Sequence, residues 1–228
     1  MKLKSLGAFT LLFCLININS THADVELPPI EVLVTDHSIE YSNVLDAIEE
    51  AELIYAGESH FEQSSSALGV ILEIWQKQNP NQNVCMAIEI SEEVQNYFDR
   101  CNLIIDQTDN LASKPNVQEC LDVAGRWRED VKAAYDLSVP VYAVDEFESC
   151  EDPISLSGIA CRNSFMANRT LELLDKSCDR VLLVVGSFHL TDPSAARGPS
   201  IRQLLIEKDI PKTSVSIRPT NSVQGFWD

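Results

Sequence analysis

The most constraining feature of this chain is a set of four short apolar runs that do not alternate with polar residues. They are Leu53–Gly57, Val84–Ile90, Val139–Val144 and Val181–Gly186. A strand with one wet face alternates apolar and polar side chains, so a continuous apolar run belongs to a strand covered on both faces. Segments with helical spacing lie between these runs. Ser64–Gln78 places Leu68, Ile71, Leu72 and Trp75 on one side and stops at Pro80. A helix starting at Ser91 follows, with Glu92 and Glu93 suited to its N-terminus. Residues 105–118 read as a polar loop, Cys120–Leu137 as one amphipathic helix, and Ile159–Leu174 as another. Ser200–Lys208 and Thr213–Ile217 close the chain as helix and strand, and Ile30–Val34 predicts an additional N-terminal strand or arm. Strands separated by helices pair in parallel, so the expected class is α/β: a mostly parallel central sheet of about five strands with helices on both faces.

The first 23 residues carry a different signal. Lys2 and Lys4 precede an apolar run from Leu6 to Ile18, and Thr21-His22-Ala23 ends in a small residue before Asp24. This is the layout of a secretory signal peptide over 1–23, too short in its apolar part to span a bilayer. Phe13 stands where lipid attachment at Cys14 would want a small residue. The expectation is therefore an exported protein, periplasmic or secreted rather than lipid-anchored, with no stable membrane span after cleavage. Residues 24–228 hold no repeat, low-complexity tract or Gly/Ser linker and read as one α/β domain.

Charge and cysteine content narrow the partners. Asp and Glu number 35 against 17 Lys and Arg, giving a net charge of −18. Phosphate binding needs clustered cations, so nucleic acid is excluded, and an anionic membrane surface is disfavoured. A small-molecule or peptide substrate remains. Beyond the leader stand Cys85, Cys101, Cys120, Cys150, Cys161 and Cys178, an even number fit for disulfides in an oxidising compartment. No C-x-x-C pair is present. Cys150–Cys161 would close a short segment containing Pro153 and Gly158, and Cys101–Cys120 would close the loop around Pro115. Cys85 and Cys178 remain, both near strand beginnings.

The polar residues collect at the other ends of the strands. Gly57-Glu58-Ser59-His60 ends the first, Glu89 lies near the end of the second, Asp145-Glu146 follows the third, and Gly186-Ser187-Phe188-His189 the fourth. Ligands of open parallel sheets bind at that edge. Glu89 has the apolar neighbours Ala87, Ile88 and Ile90, and a buried carboxylate is costly unless paired. No G-x-S-x-G elbow, Walker A loop or G-x-G-x-x-G is present. Asn168-Arg169-Thr170 is a glycosylation sequon on a predicted helix, read as accidental.

The stretches Ile54-Tyr-Ala-Gly-Glu-Ser-His-Phe61 and Ala87-Ile-Glu-Ile90 resemble the opening of the ChaN-like, erythromycin-esterase-like and TraB/Tiki group. Arg162-Asn-Ser-Phe-Met-Ala167, followed by the apolar strand and Gly186-Ser-Phe-His189, resembles that group's C-terminal half, and Trp127 resembles a Trp of the ChaN-like branch. The resemblance implies one pocket formed by Glu58, His60, Glu89 and His189, with Arg162 as a supporting cation. Asn163 stands where the group has Asp, which is expected to weaken the Arg–acid pairing. No second His follows His60 at ligand-like spacing.

Three functional readings stand. In the first, the chain is a hydrolase of esterase or metal-dependent peptidase type. His60 takes a proton from water, Glu58 or Glu89 orients it, and His189 stabilises the oxyanion or serves the leaving group. The same four residues, His60, His189, Glu58 and Glu89, would hold a divalent metal if the chemistry is metal-assisted. In the second, the protein captures haem without catalysis, with Tyr55, Tyr97, Tyr135 and Tyr142 as candidate ligands. In the third, the pocket is degenerate and the protein scaffolds others.

Overall fold

The computed structural model describes residues 30–35, 44–58, 65–105, 115–190, 198–208 and 214–219. The signal-peptide segment and His60 lie outside the described residues. The strands are β1 (Ile30–Thr35), β2 (Leu53–Glu58), β3 (Val84–Ser91), β4 (Val141–Asp145), β5 (Arg180–Gly186) and β6 (Ser214–Pro219). They form one sheet in the order β1-β6-β2-β5-β3-β4. The pairs β6–β2, β2–β5, β5–β3 and β3–β4 are parallel, and only β1–β6 is antiparallel. The α/β expectation holds: five parallel strands, joined by the N-terminal arm as an antiparallel sixth.

Both faces of the sheet are covered. On β5, Leu182 and Val184 face one core while Val181, Leu183 and Val185 face the other, all fully buried. The first core receives Trp75 from α2 (Ser65–Gln78), Phe98 from α3 (Gln95–Ile105) and Val131 from α5 (Arg128–Asp136). The second receives Met166 and Ala167 from α6 (Leu156–Lys176) and Ile201 and Leu205 from α7 (Ile201–Ile206). A strand buried on two faces has no polar side to display, which is why its sequence does not alternate.

The sheet ends at β4, and α3 lies along that open edge. Asn102 accepts from Val141 N at 3.0 Å and donates to Val141 O at 2.9 Å, while Gln95 Oε1 accepts from Ala143 N at 2.6 Å.

Two expectations are corrected. The helix read as continuous over Cys120–Leu137 is broken. α4 (Pro115–Val123) is followed by a short 3₁₀ turn at Gly125–Trp127 and then α5. Gly125 has φ +56°, a left-handed value that interrupts the helical path. The polar loop read over 105–118 gives way to helix from Pro115, a residue tolerated in a first helical turn because it has no N–H to satisfy there. A helix α1 (Val44–Glu50) stands where none was expected.

All three disulfides form as paired in the sequence reading, with Cα–Cα separations of 5.9 Å (Cys85–Cys178), 6.7 Å (Cys101–Cys120) and 5.9 Å (Cys150–Cys161). Cys85–Cys178 joins the starts of the paired strands β3 and β5, at the edge opposite the strand ends that carry the polar residues. The sequon lies on α6, where Thr170 is fully buried and its hydroxyl donates to Met166 O at 2.8 Å.

Gly125→Ala tests the helix break. No heavy atom stands within 4 Å of an added Cβ, so the loss is conformational alone. We expect destabilisation of about 1–2 kcal/mol by urea unfolding, with an unchanged far-UV spectrum.

Candidate active site at the C-terminal strand ends

Four side chains from distant parts of the sequence meet beyond the ends of β3, β4 and β5. Glu89 enters from β3, Asp145 from the last position of β4, Arg162 from the second turn of α6, and His189 from a short 3₁₀ turn after β5. Their exposures are 6%, 4%, 9% and 3%. The α6 helix points its buried stripe of Gly158, Arg162, Met166 and Ala167 at the sheet. That stripe runs from apolar packing lower down to a guanidinium level with the strand ends.

Arg162 organises the group. Its Nε donates to Asp145 Oδ1 at 3.0 Å and its Nη2 to Asp145 Oδ2 at 2.7 Å, a bidentate pairing. The same Nη2 reaches Glu89 Oε1 at 2.7 Å. Glu89 Oε2 accepts from the backbone N–H of Gly186 at 2.5 Å, which ties the ends of β3 and β5 together. Its backbone carbonyl accepts from the Trp127 indole at 3.1 Å, and Arg126 stands 3.7 Å from Oε1. Trp127 is thus a strut beneath the carboxylate, brought there by the 3₁₀ turn that breaks the helix.

His189 sits between Glu89 and Asn163. Asn163 Nδ2 donates to Pro199 O at 2.9 Å, so its Oδ1 is the atom facing His189 Nδ1 at 2.5 Å, and Nδ1 carries the proton. Nε2 faces Glu89 Oε1 at 3.3 Å, an ion pair when the ring is protonated. The expected weakening of the Arg–acid pairing by Asn163 is overturned. Arg162 finds its acids on β3 and β4, and Asn163 serves the imidazole instead. His189 itself is buried, with Asn163 and Glu89 facing its two ring nitrogens.

The electrostatics follow. Burial alone would raise the Glu89 carboxyl; the hydrogen bond and charge of His189, the Gly186 N–H and Arg162 outweigh it and lower it from 4.5 to about 2. Burial alone would lower Arg162, but Asp145 and Glu89 outweigh that and raise it. Glu89 is therefore a fixed anion at neutral pH and a poor proton acceptor, since a general base works best near the ambient pH.

Beside this network lies a cleft of about 440 Å³ lined by Glu89, Ser91, Glu93, Arg126, Asp145, Phe147, Glu148 and Arg162. Phe147 covers the Arg162 guanidinium, 5.1 Å from ring centre to Cζ. Asp145, Arg126 and Phe147 were not singled out as site residues. Asp145 was visible as an acid at a strand end, and the other two carried no sequence signal.

Of the expected site residues, Glu89, His189 and Arg162 converge. Glu58 ends β2 with its backbone in register with Gly186, but its side chain, like the whole of His60, lies outside the described residues. Of the expected metal ligands, the two described ones have other neighbours: Glu89 accepts from Arg162 and Gly186, and His189 lies between Glu89 and Asn163. Among the described residues no three His, Cys, Asp or Glu side chains are grouped to hold a metal. Haem does not fit the described lining either, which contains no His, Tyr, Met or Cys. Tyr55 and Tyr135, two of the candidate ligands, are buried in the cores at 0% and 1% exposure.

Asp130 was also missed. It is 3% exposed, its Oδ1 has no hydrogen-bond partner among the described residues, and burial, with Glu129 beside it, raises its carboxyl from 3.8 to about 7. The sequence signal was present: Asp130 falls on the same helical stripe as Trp127 and Ala134.

Comparison with solved structures places the fold. The chain aligns with ChaN of Campylobacter jejuni, a structure showing cofacial haem binding, at a TM-score of 0.55 and 14% identity over 78% of this chain and 85% of that one. The fold is shared. A structure described as bacterial protein toxins aligns at 0.51 and 16% identity, over 78% of this chain and 36% of the much longer toxin. Neither a scan of protein-family models nor a sequence comparison with curated proteins returns a match.

The depressed Glu89 carboxyl predicts acid sensitivity. Its folded value lies below its unfolded one, so the ionised group stabilises the fold above pH 4.5, and this is lost as pH falls from 4.5 toward about 2. A shift of that size corresponds to about 3 kcal/mol. Denaturant titrations across this range are expected to show that loss, and Glu89→Gln is expected to flatten it.

Proposed function

We propose that the chain is an exported hydrolase acting on a small-molecule or peptide substrate in the cleft beside Arg162. The carrying observation is the convergence of Glu89, Asp145, Arg162 and His189 at the C-terminal strand ends. A buried ionic network is expensive to assemble, and an apolar cluster of similar volume would stabilise a fold at least as well. Its position at the edge where open parallel sheets bind ligands gives that cost a purpose.

In this reading His60, two residues beyond the end of β2 in sequence, takes the proton from water, with Glu58 to orient it. Glu89 and His189 do not exchange protons with substrate. They fix a charge pattern against which Arg162 presents its guanidinium to the developing negative charge. The reading needs no metal, in keeping with a Glu89 carboxylate that already accepts from Arg162 and Gly186. Export rests on the signal-peptide layout of residues 1–23 and on the three disulfides. Among the described residues no helix is long and apolar enough to cross a membrane.

Haem capture is the second reading, favoured by the fold shared with the haem-binding ChaN and opposed by the cleft lining. One preparation separates the two. The purified protein is assayed with p-nitrophenyl acetate and fluorescein-labelled casein, and a visible spectrum is recorded before and after adding hemin. Turnover of either probe that His60→Ala abolishes, with a melting temperature within about 2 °C of the parent, is the expected result. A Soret band that persists through gel filtration, with no turnover, would replace hydrolysis by haem capture.

A further inference from the structure

The Cys150–Cys161 disulfide differs from the other two in where it sits. Cys161 immediately precedes Arg162 on α6, and Cys150 lies in the segment that leaves β4 and forms one wall of the cleft. That segment carries Phe147, stacked on the Arg162 guanidinium, and Glu148, which lines the cleft. Polar contacts within it are local: Ser149 Oγ donates to Glu146 Oε1 at 2.8 Å, and Ser155 N and Oγ donate to Asp152 O at 2.9 and 2.7 Å. Asp152 has φ +47°, and the chain there runs so close to α6 that a Cβ on Gly158 would strike Asp152 O and Pro153 Cα. The disulfide is therefore the covalent tie between the wall and the helix turn that carries Arg162.

It is also the bridge that includes the most exposed half-cystine residue. Cys85, Cys101, Cys120, Cys150 and Cys178 are all buried at 4% exposure or less, whereas Cys161 is half-buried.

We propose that Cys150–Cys161 is a positioning element of the cleft, and that a dithiol reductant opens the Phe147–Glu148 wall through it without unfolding the protein. One thiolate of the dithiol attacks Cys161 Sγ and breaks the bond, releasing Cys150 as a thiolate that takes up a proton. The second thiolate attacks the mixed disulfide, closing the reductant's own disulfide and releasing Cys161, which is protonated in turn. Two electrons and two protons pass to the protein. The functional weight of the wall rests on the cleft being the site proposed above. The structural claim does not, so the test reads both separately.

The test is stepwise reduction of the full chain with dithiothreitol under native conditions, alkylation at each step and peptide mapping. Cys150 and Cys161 are expected to be alkylated before the other four. At that stage the amides of residues 146–155 should exchange with solvent at least about tenfold faster, while β3 and β5 stay protected. Cys150→Ser/Cys161→Ser should reproduce the exchange pattern, and Cys101→Ser/Cys120→Ser should not. Earlier reduction of either other bridge, or reduction of Cys150–Cys161 with unchanged exchange over 146–155, would overturn the proposal. Where the parent turns over p-nitrophenyl acetate, the double variant is expected to raise KM more than it lowers kcat. Failure of turnover in the parent strikes the hydrolase reading and leaves the exchange result standing.

Discussion

The guanidinium of Arg162 is the interaction on which the upper half of this molecule depends. It touches both Glu89 and Asp145, which enter from neighbouring strands and would otherwise repel each other. Removing it would leave two buried carboxylates uncompensated, a loss of the order of 3–5 kcal/mol in comparable networks. Arg rather than Lys suits the position because its planar fork engages Asp145 bidentately and still reaches Glu89 with the same nitrogen. Arg162 alone leaves one negative charge, and Arg126, 3.7 Å from Glu89 Oε1, balances it from the cleft side.

Around that centre each neighbour is fixed by a different kind of bond. Gly186 holds Glu89 through a backbone N–H, Trp127 holds the same residue through its carbonyl, and Asn163 holds His189 through one amide oxygen. The result is a fixed arrangement of charge around the ionised Glu89 carboxylate. Reactivity, in the proposed hydrolase, belongs to Glu58 and His60, while the buried network supplies the field in which they work.

The sheet was legible in the sequence because burial on both faces writes itself as unbroken apolar runs, and strands β2 to β5 lie close to those runs. The convergence of Glu89 and His189 was legible for a related reason: parallel strands all end at one edge. Arg162 was reached through family resemblance, and its partners were not. Nothing in the order of residues says that a helix residue will bridge two strands rather than pair with its neighbour, since that depends on which turn of α6 meets the strand ends. The break at Gly125 was hidden because amphipathic spacing continues on either side of it, and a single left-handed residue leaves the hydrophobic pattern almost intact. Asp130 was overlooked because the apolar stripe was read for what it contained rather than for what interrupted it.

The contacts of α3 with β4 bear on how the molecule meets copies of itself. An outermost strand offers unpaired N–H and C=O groups to any extended chain that drifts alongside, and that invitation is the usual start of intermolecular sheet growth. Here the amide side chains of Asn102 and Gln95 occupy those groups at Val141 and Ala143, imitating a further strand without being one. Two side-chain amides on one helix thus act as a terminator for the β ladder.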